Sequence, residues 1–336
     1  MCMACDLLQG LDLDELSPPE DAGTLPLLLG DAVAREDLER WFPARDATRY
    51  RLIRRCPARH ASPHWNPQAL APAVTAIAAG ESWMQGLGFA QQAIEAFRHF
   101  WQDKLDGVLP PPARFVMALP TPYTVVAALA PAAPDVPQLL SHLETAFAAE
   151  VASLLQTVPA DQLAIQWDVG AETRIWETRG RDLAAPRGLP ERLLESCVAL
   201  SAAVPVDSEL GWHFCPRDPA GQITLAPRDS AQVTRLLGAI IASTDREPQY
   251  VHMPVPAERD DPVYFEPLAN LALWPRMDVH LGLVHDSDDT GAAQRRIAAA
   301  RSVLRRFGIA PACGADPRRT LPQLAALALS EVEPQR

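Results

Sequence analysis

Apolar residues follow two alternating patterns along this chain. Short apolar runs alternate with longer segments in which apolar residues recur every three or four positions. The short runs are typical of buried strands, and the longer segments are typical of helices with one buried face. Strands are predicted at residues 25–29, 51–55, 114–119, 162–168, 209–215, 250–255, 279–285 and 309–313.

The intervening segments predict helices and one long loop. Residues 56–72, which carry two histidines and several prolines, are predicted to be a loop. Helices are predicted at residues 36–41, 89–105, 137–155, 190–202, 230–243, 263–273, 292–307 and 321–329.

Strands that alternate with helices of this length indicate βαβ units with parallel pairing. Eight strands suit a single (β/α)8 TIM barrel of the α/β class. An open, doubly wound sheet is the structural alternative, but the Gly-rich dinucleotide-binding loop typical of it is absent from the sequence. We expect residues 1–23, which are acidic and contain proline, to form an irregular leader, and residues 24–332 to form the barrel.

Composition narrows the range of partners. The chain has 336 residues and a formal net charge of −12, which argues against a nucleic-acid partner because phosphates would be repelled. No apolar run is long enough for a membrane helix, and the first residues lack the order of a secretory signal. We therefore expect a cytoplasmic protein that acts on a small molecule. The sequence does not indicate an oligomeric state.

Polar residues occur repeatedly at or just after the ends of the predicted strands. In (β/α)8 barrels these ends form the active-site face. For Asp168 two roles are possible, a cap of the next helix or a residue of the active site. His252 lies in mid-strand and is interpreted as a core histidine. The residues concerned are Thr121, Gln166, Asp168, His213, Cys215, Glu258, His285 and Cys313.

His213 and Cys215 stand out within this set. Residues two apart on a strand point to the same side, so the imidazole and the thiol are expected to project together. This is a zinc-type pair of ligands, but a zinc site needs three or four. Cys313 and the acidic segment at 258–261 are candidates to complete it. Alternatively, the pair is packed or incidental.

The sequence also resembles a known family. The order Gln166-Trp167-Asp168, then His213-Phe214-Cys215, then Cys313-Gly314 is similar to the C-terminal catalytic barrel of cobalamin-independent methionine synthase. More broadly, the chain resembles the uroporphyrinogen decarboxylase/methionine synthase-like superfamily, and within it a bacterial and fungal branch. The resemblance covers roughly residues 85–320 and preserves the order of the segments.

The resemblance implies a zinc site and roles for its neighbours. It places His213, Cys215 and Cys313 as zinc ligands. The glutamate that the family carries on the next strand has no direct counterpart, and Glu258, or as a second choice Glu266, is the candidate to replace it. It also implies that Asp168 contacts the substrate. In addition, His285 resembles a histidine that moves protons.

We add Gln166 and Thr121 to the expected substrate-binding residues. Val169 stands where the family has a second acidic residue, which weighs against an amino-acid substrate.

Three functional hypotheses remain open at this point. The first is a zinc-dependent methyl or alkyl transferase that activates a thiol or a similar small substrate and takes its methyl group from a donor such as a methylated folate or a corrinoid. The second is a metal-dependent lyase or hydrolase that acts on a small organic acid or aromatic without a methyl donor. The third is a relative that binds a ligand without catalysis.

Overall fold

The fold is described from a computed structural model of the chain. The structure describes residues 27–33, 35–41, 50–55, 67–79, 81, 86–109, 111–130, 135–179, 189–214, 227–273, 276–289 and 291–330. The predicted leader at 1–23 lies outside these residues, and so does Cys215.

Parallel strands form the centre of the molecule. Strands β3 to β8 make up a curled sheet, β2 pairs with β3, and β1 pairs with both β2 and β8, so the hydrogen-bonded order is closed. The predicted α/β class and the parallel pairing are confirmed. The strands are β1 (Leu27–Val33), β2 (Tyr50–Arg55), β3 (Arg114–Pro120), β4 (Leu163–Val169), β5 (Glu209–Phe214), β6 (Tyr250–Pro254), β7 (Asp278–Val284) and β8 (Gly308–Pro311).

Helices surround the sheet. None of those within the described residues combines the length and the apolar composition needed to cross a membrane. They are α1 (Arg35–Trp41), α2 (Pro67–Ala78), α3 (Phe89–Leu105), α4 (Pro122–Leu129), α5 (Val136–Leu155), α6 (Ala171–Arg179), α7 (Leu189–Ala202), α8 (Ala231–Ala242), α9 (Pro262–Phe265), α10 (Ala292–Arg301) and α11 (Pro317–Ser330).

The two faces of the strands carry different residues. Trp167 and Trp212 are opposite each other in the pairing of β4 with β5, and both are fully buried. The ring of Trp167 meets Phe147 of α5 edge-on, with centroids 5.9 Å apart, so this face of β4 packs against the helices. Because neighbouring strand residues point to opposite faces, Gln166 and Asp168 point into the interior enclosed by the sheet.

Helix α3 begins without a side-chain cap of its own. The residue before it, Gly88, has a left-handed backbone with φ of 83° and no side chain to accept the first backbone N–H groups. The buried carboxylate of Glu150 on α5 takes this role, accepting hydrogen bonds from the backbone N–H groups of Leu87, Gly88 and Ala90. The start of α3 is therefore fixed to α5 through one acidic side chain.

One prediction of local structure is wrong, and another differs in helix type. The predicted loop at 56–72 contains the start of α2, whose Leu70, Ala73, Val74 and Ile77 form one buried face despite Pro72 in its interior. Burial of this face outweighs the hydrogen bond that proline removes. The predicted helix at 263–273 is present, as the short α9 followed by a 3-10 helix at Glu266–Leu273.

Other boundaries differ as well. Helices α4 and α6, which follow β3 and β4, are absent from the predicted elements. Strand β1 continues past the predicted end at Leu29 to Val33.

Candidate functional site

Asp168 and His213 form the centre of the candidate site. They are opposite each other in the pairing of β4 with β5, and the Nδ1 atom of His213 lies 3.1 Å from Oδ1 of Asp168. Because a carboxylate only accepts hydrogen bonds, Nδ1 is the nitrogen that donates and carries a proton. The same Oδ1 accepts a hydrogen bond of 2.9 Å from Nε2 of Gln166. The structure therefore brings together three predicted site residues.

The arrangement continues to Tyr250 on β6. Its hydroxyl donates to Oε1 of Gln166 at 3.2 Å, so the side chain spans β5 to reach β4. It passes directly over Gly211, where a Cβ atom would lie 2.1 Å from Cζ of the tyrosine ring. Glycine is therefore required at position 211 for Tyr250 to take this path.

Two further histidines extend the row inside the sheet. His252 on β6 is paired with His213 on one side and with His280 of β7 on the other. The rings of His213 and His252 stack, with centroids 4.6 Å apart and planes 15° apart. His280 meets the ring of Tyr250 edge-on, with centroids 6.2 Å apart.

The interior keeps His252 uncharged. Burial lowers the pKa of His252 well below its ordinary value, and the neighbouring His213 and His280 lower it further, against the carbonyl of Pro311, which favours the protonated form. His252 is buried, as expected of a core histidine, yet its ring lies against a residue of the candidate site.

Thr121 belongs to a separate buried cluster at the start of α4 and α6. Its hydroxyl caps α4 by accepting from the backbone N–H of Thr124, and it is hydrogen-bonded to Glu172. Thr124 donates to the other oxygen of Glu172 at 2.9 Å. Burial raises the pKa of Glu172, while the two threonine hydroxyls act in the opposite direction. The hydroxyl of Thr121 thus connects two helix starts.

His285 and Glu258 lie on loops beyond the strand ends. Nε2 of His285 is 2.8 Å from the carbonyl oxygen of Val255, and its backbone N–H donates to Asp288. Because a carbonyl only accepts, Nε2 is protonated and Nδ1 is the basic nitrogen of the neutral ring. Burial lowers the pKa of His285, and the charge of Arg296 adds to this. Glu258 is exposed.

The surroundings of His213 suit a metal ligand. A metal-binding histidine usually donates its other ring N–H to a carboxylate or carbonyl group, as Nδ1 of His213 does to Asp168. Cys313 is a buried thiol just after β8. Within the described ranges, however, no three His, Cys, Asp or Glu side chains are placed so that they could hold a metal ion. Cys215, one of the predicted ligands, lies outside those ranges, so the full set of predicted ligands stays a prediction.

Three residues of this region were not identified from the sequence. Tyr250 is the first residue of β6 and His280 the third residue of β7, away from the carboxyl ends of these strands, and Gly211 carries no functional group. Their importance follows from strand register, which places Gly211 beside Gln166 and Tyr250, and His280 beside His252. Alternation of residue type along a single strand does not reveal register.

Comparisons with known proteins support the fold. No protein-family model matches the chain, and no curated protein matches it. A solved structure of a methyltransferase from Methanosarcina mazei has a TM-score of 0.51 and 12% identity, over 94% of each chain. A putative vitamin-B12 independent methionine synthase from Listeria monocytogenes has a TM-score of 0.46 and 14% identity, over 70% of each chain. The chain is thus structurally similar to a methyltransferase across nearly its full length, in agreement with the fold that the sequence resemblance implied.

Proposed function

We propose that this protein is a methyl or alkyl transferase-like enzyme that acts on a thiol or similar small substrate. Its site would lie at the carboxyl ends of the strands of a complete (β/α)8 barrel. The observation that carries this proposal is the Asp168–His213 pair near the ends of β4 and β5, in a fold similar to that of a methyltransferase. That end of the strands is where such barrels place their active sites.

The proposed enzyme would use a zinc ion. His213 would bind it through Nε2, with Cys215 and Cys313 as thiolate ligands and Glu258 as the candidate for a fourth. Bound zinc would lower the pKa of a substrate thiol, so that the thiolate forms at neutral pH.

The protein's own residues supply orientation and proton transfer. Asp168 holds the imidazole of His213 through Nδ1, and Gln166 holds Asp168. His285 is neutral at neutral pH because its pKa is lowered, so its Nδ1 atom is available to accept a proton. Asp168 and Gln166 would also present polar atoms to a substrate that enters from the strand ends.

Methyl transfer can be assayed directly. Purified, zinc-loaded protein is incubated with methyltetrahydrofolate or methylcobalamin and a panel of small thiols, and methylated thiol is detected by mass spectrometry. We expect product formation that requires the methyl donor and is lost in His213→Ala. Absence of methylated product with every donor and thiol, from folded zinc-loaded protein, would contradict the proposal.

A second candidate is a metal-dependent lyase or hydrolase that acts on a small organic acid or aromatic. The exposed position of Glu258 favours this candidate. The methionine synthase family uses a glutamate as a zinc ligand, and an exposed Glu258 does not supply that ligand inside the barrel. This enzyme would turn over its substrate without any methyl donor. A strict requirement for a donor would eliminate it.

A further inference from the structure

Four side chains from three neighbouring strands form one continuous hydrogen-bonded path. The hydroxyl of Tyr250 donates to Gln166 at 3.2 Å, Gln166 donates to Asp168 at 2.9 Å, and His213 lies 3.1 Å from the same carboxylate oxygen. We propose that Tyr250 and Gln166 are positioning residues, which act through Asp168 to fix the orientation and tautomer of His213.

The chemistry of the groups allows one direction of donation along this path. Oε1 of Gln166 accepts from the tyrosine hydroxyl, so its amide nitrogen faces Asp168. The reversed amide would place two acceptor oxygens against each other at Asp168. Asp168 therefore fixes the amide orientation, and the tyrosine hydroxyl, which can donate or accept, is the donor to Oε1. With Asp168 held in this way, Nδ1 of His213 donates to the carboxylate, and Nε2 is the nitrogen that would bind a metal ion.

The tyrosine that begins the path has little freedom to move. Its side chain is buried, and its ring lies so close to the backbone of Gly211 that no Cβ atom fits between them. The ring of His280 contacts it edge-on from β7. Close packing on these sides keeps the hydroxyl at a fixed distance from Gln166, which a positioning residue requires.

A packing role for the same tyrosine makes a different prediction. If the ring only fills the interior, removing the hydroxyl leaves His213 unchanged. Tyr250→Phe keeps the ring over Gly211 and deletes the donor. Tyr264→Phe is a matched control, because Tyr264 is equally buried and its hydroxyl donates to the carbonyl of Pro254, outside the path. Gln166→Leu interrupts the path at its next member.

The test is the tautomer of His213 in metal-free protein. Nitrogen-15 NMR of histidine-labelled protein distinguishes protonated from unprotonated ring nitrogens, and the His213 signals are assigned from their loss in His213→Gln. We expect wild-type His213 to carry its proton on Nδ1. Tyr250→Phe and Gln166→Leu should each show a new signal of protonated Nε2, and Tyr264→Phe should not. Thermal unfolding of each variant verifies that it is folded.

Zinc affinity provides a second readout, measured by competition with a chromophoric chelator. We expect the zinc affinity to fall about tenfold in Tyr250→Phe, as is typical when a residue that supports a metal ligand through hydrogen bonds is changed.

An unchanged tautomer of His213 in both path variants would overturn the positioning role, as would an equal change in Tyr264→Phe. The inference rests on the proposed function for its purpose, but the two fail separately. Wild-type protein that binds no zinc contradicts the proposed function, whereas the tautomer measurement still decides the positioning role.

Discussion

The imidazole rings of His213 and His252 lie face to face, with centroids 4.6 Å apart. One ring is hydrogen-bonded to Asp168, and the other is enclosed in the interior between His213 and His280. A proton on His252 would place a charge against two neighbouring imidazoles in a buried environment. We therefore expect protonation of His252, the residue stacked on His213 of the candidate site, to lower the free energy of unfolding.

Metal-free protein should lose stability as the pH falls. The folded-state pKa of His252 lies well below the ordinary value of 6.5, so the unfolded chain binds a proton more readily below that pH. Stability contributed by neutral His252 is present above pH 6.5 and is lost below it. The loss between pH 6.5 and about pH 5 is about 2 kcal/mol for one fully excluded proton.

Urea denaturation at a series of pH values measures this loss. In His252→Gln the fall in stability over the same range should be smaller, because the buried imidazole at position 252 is gone. Replacing the exposed His99 by glutamine should leave the pH profile unchanged. Parallel profiles for wild type and His252→Gln would show that the stack does not set the pH dependence.

Gly211→Ala should be strongly destabilising. The new Cβ atom would lie between 2.1 and 2.5 Å from three atoms of the Tyr250 ring, and neither the ring nor the strand has space to move. Overpacking of this kind costs about 1–3 kcal/mol or more in the free energy of unfolding. The measurement is the urea midpoint, and Gly291→Ala serves as the control because its Cβ meets the flexible end of Arg295.

Coupling to the tyrosine checks the cause of that loss. Because Gly211 and Tyr250 are in contact, the double variant Gly211→Ala/Tyr250→Ala should lose less stability than the two single changes added together. Additive losses would mean that Gly211 is needed for another reason.

Glu150→Ala should destabilise the start of α3. It removes a buried carboxylate that accepts from three backbone N–H groups and leaves those donors without it. A buried donor that loses its acceptor costs about 1–3 kcal/mol, so the loss of an acceptor for three donors is expected to cost at least about 3 kcal/mol. Amide hydrogen exchange should accelerate at Leu87 and Ala90. Glu95→Ala, on the exposed side of α3, should change stability by less than about 0.5 kcal/mol.

The sequence predicted the order and type of the main elements because buried parallel strands and amphipathic helices leave strong patterns. It did not predict α2, since Pro72 reads as a loop residue and only tertiary burial of Leu70 and Ile77 compensates for it. It predicted Asp168, Gln166 and His213 as members of one site, because strand ends converge. It gave no indication of Tyr250, whose contact with Gln166 depends on the register of three strands and on a missing side chain at Gly211.

Zinc content is the most direct measure of the proposed site. Protein loaded with excess zinc and then dialysed is analysed by mass spectrometry of the metal, with His213→Ala and Cys215→Ser treated in parallel. We expect about one zinc per wild-type chain and a large loss in both variants, as a site of three or four protein ligands requires. Wild-type protein that is folded and retains less than about a tenth of an equivalent of zinc would contradict it, because a protein site built from these ligands retains its metal through dialysis.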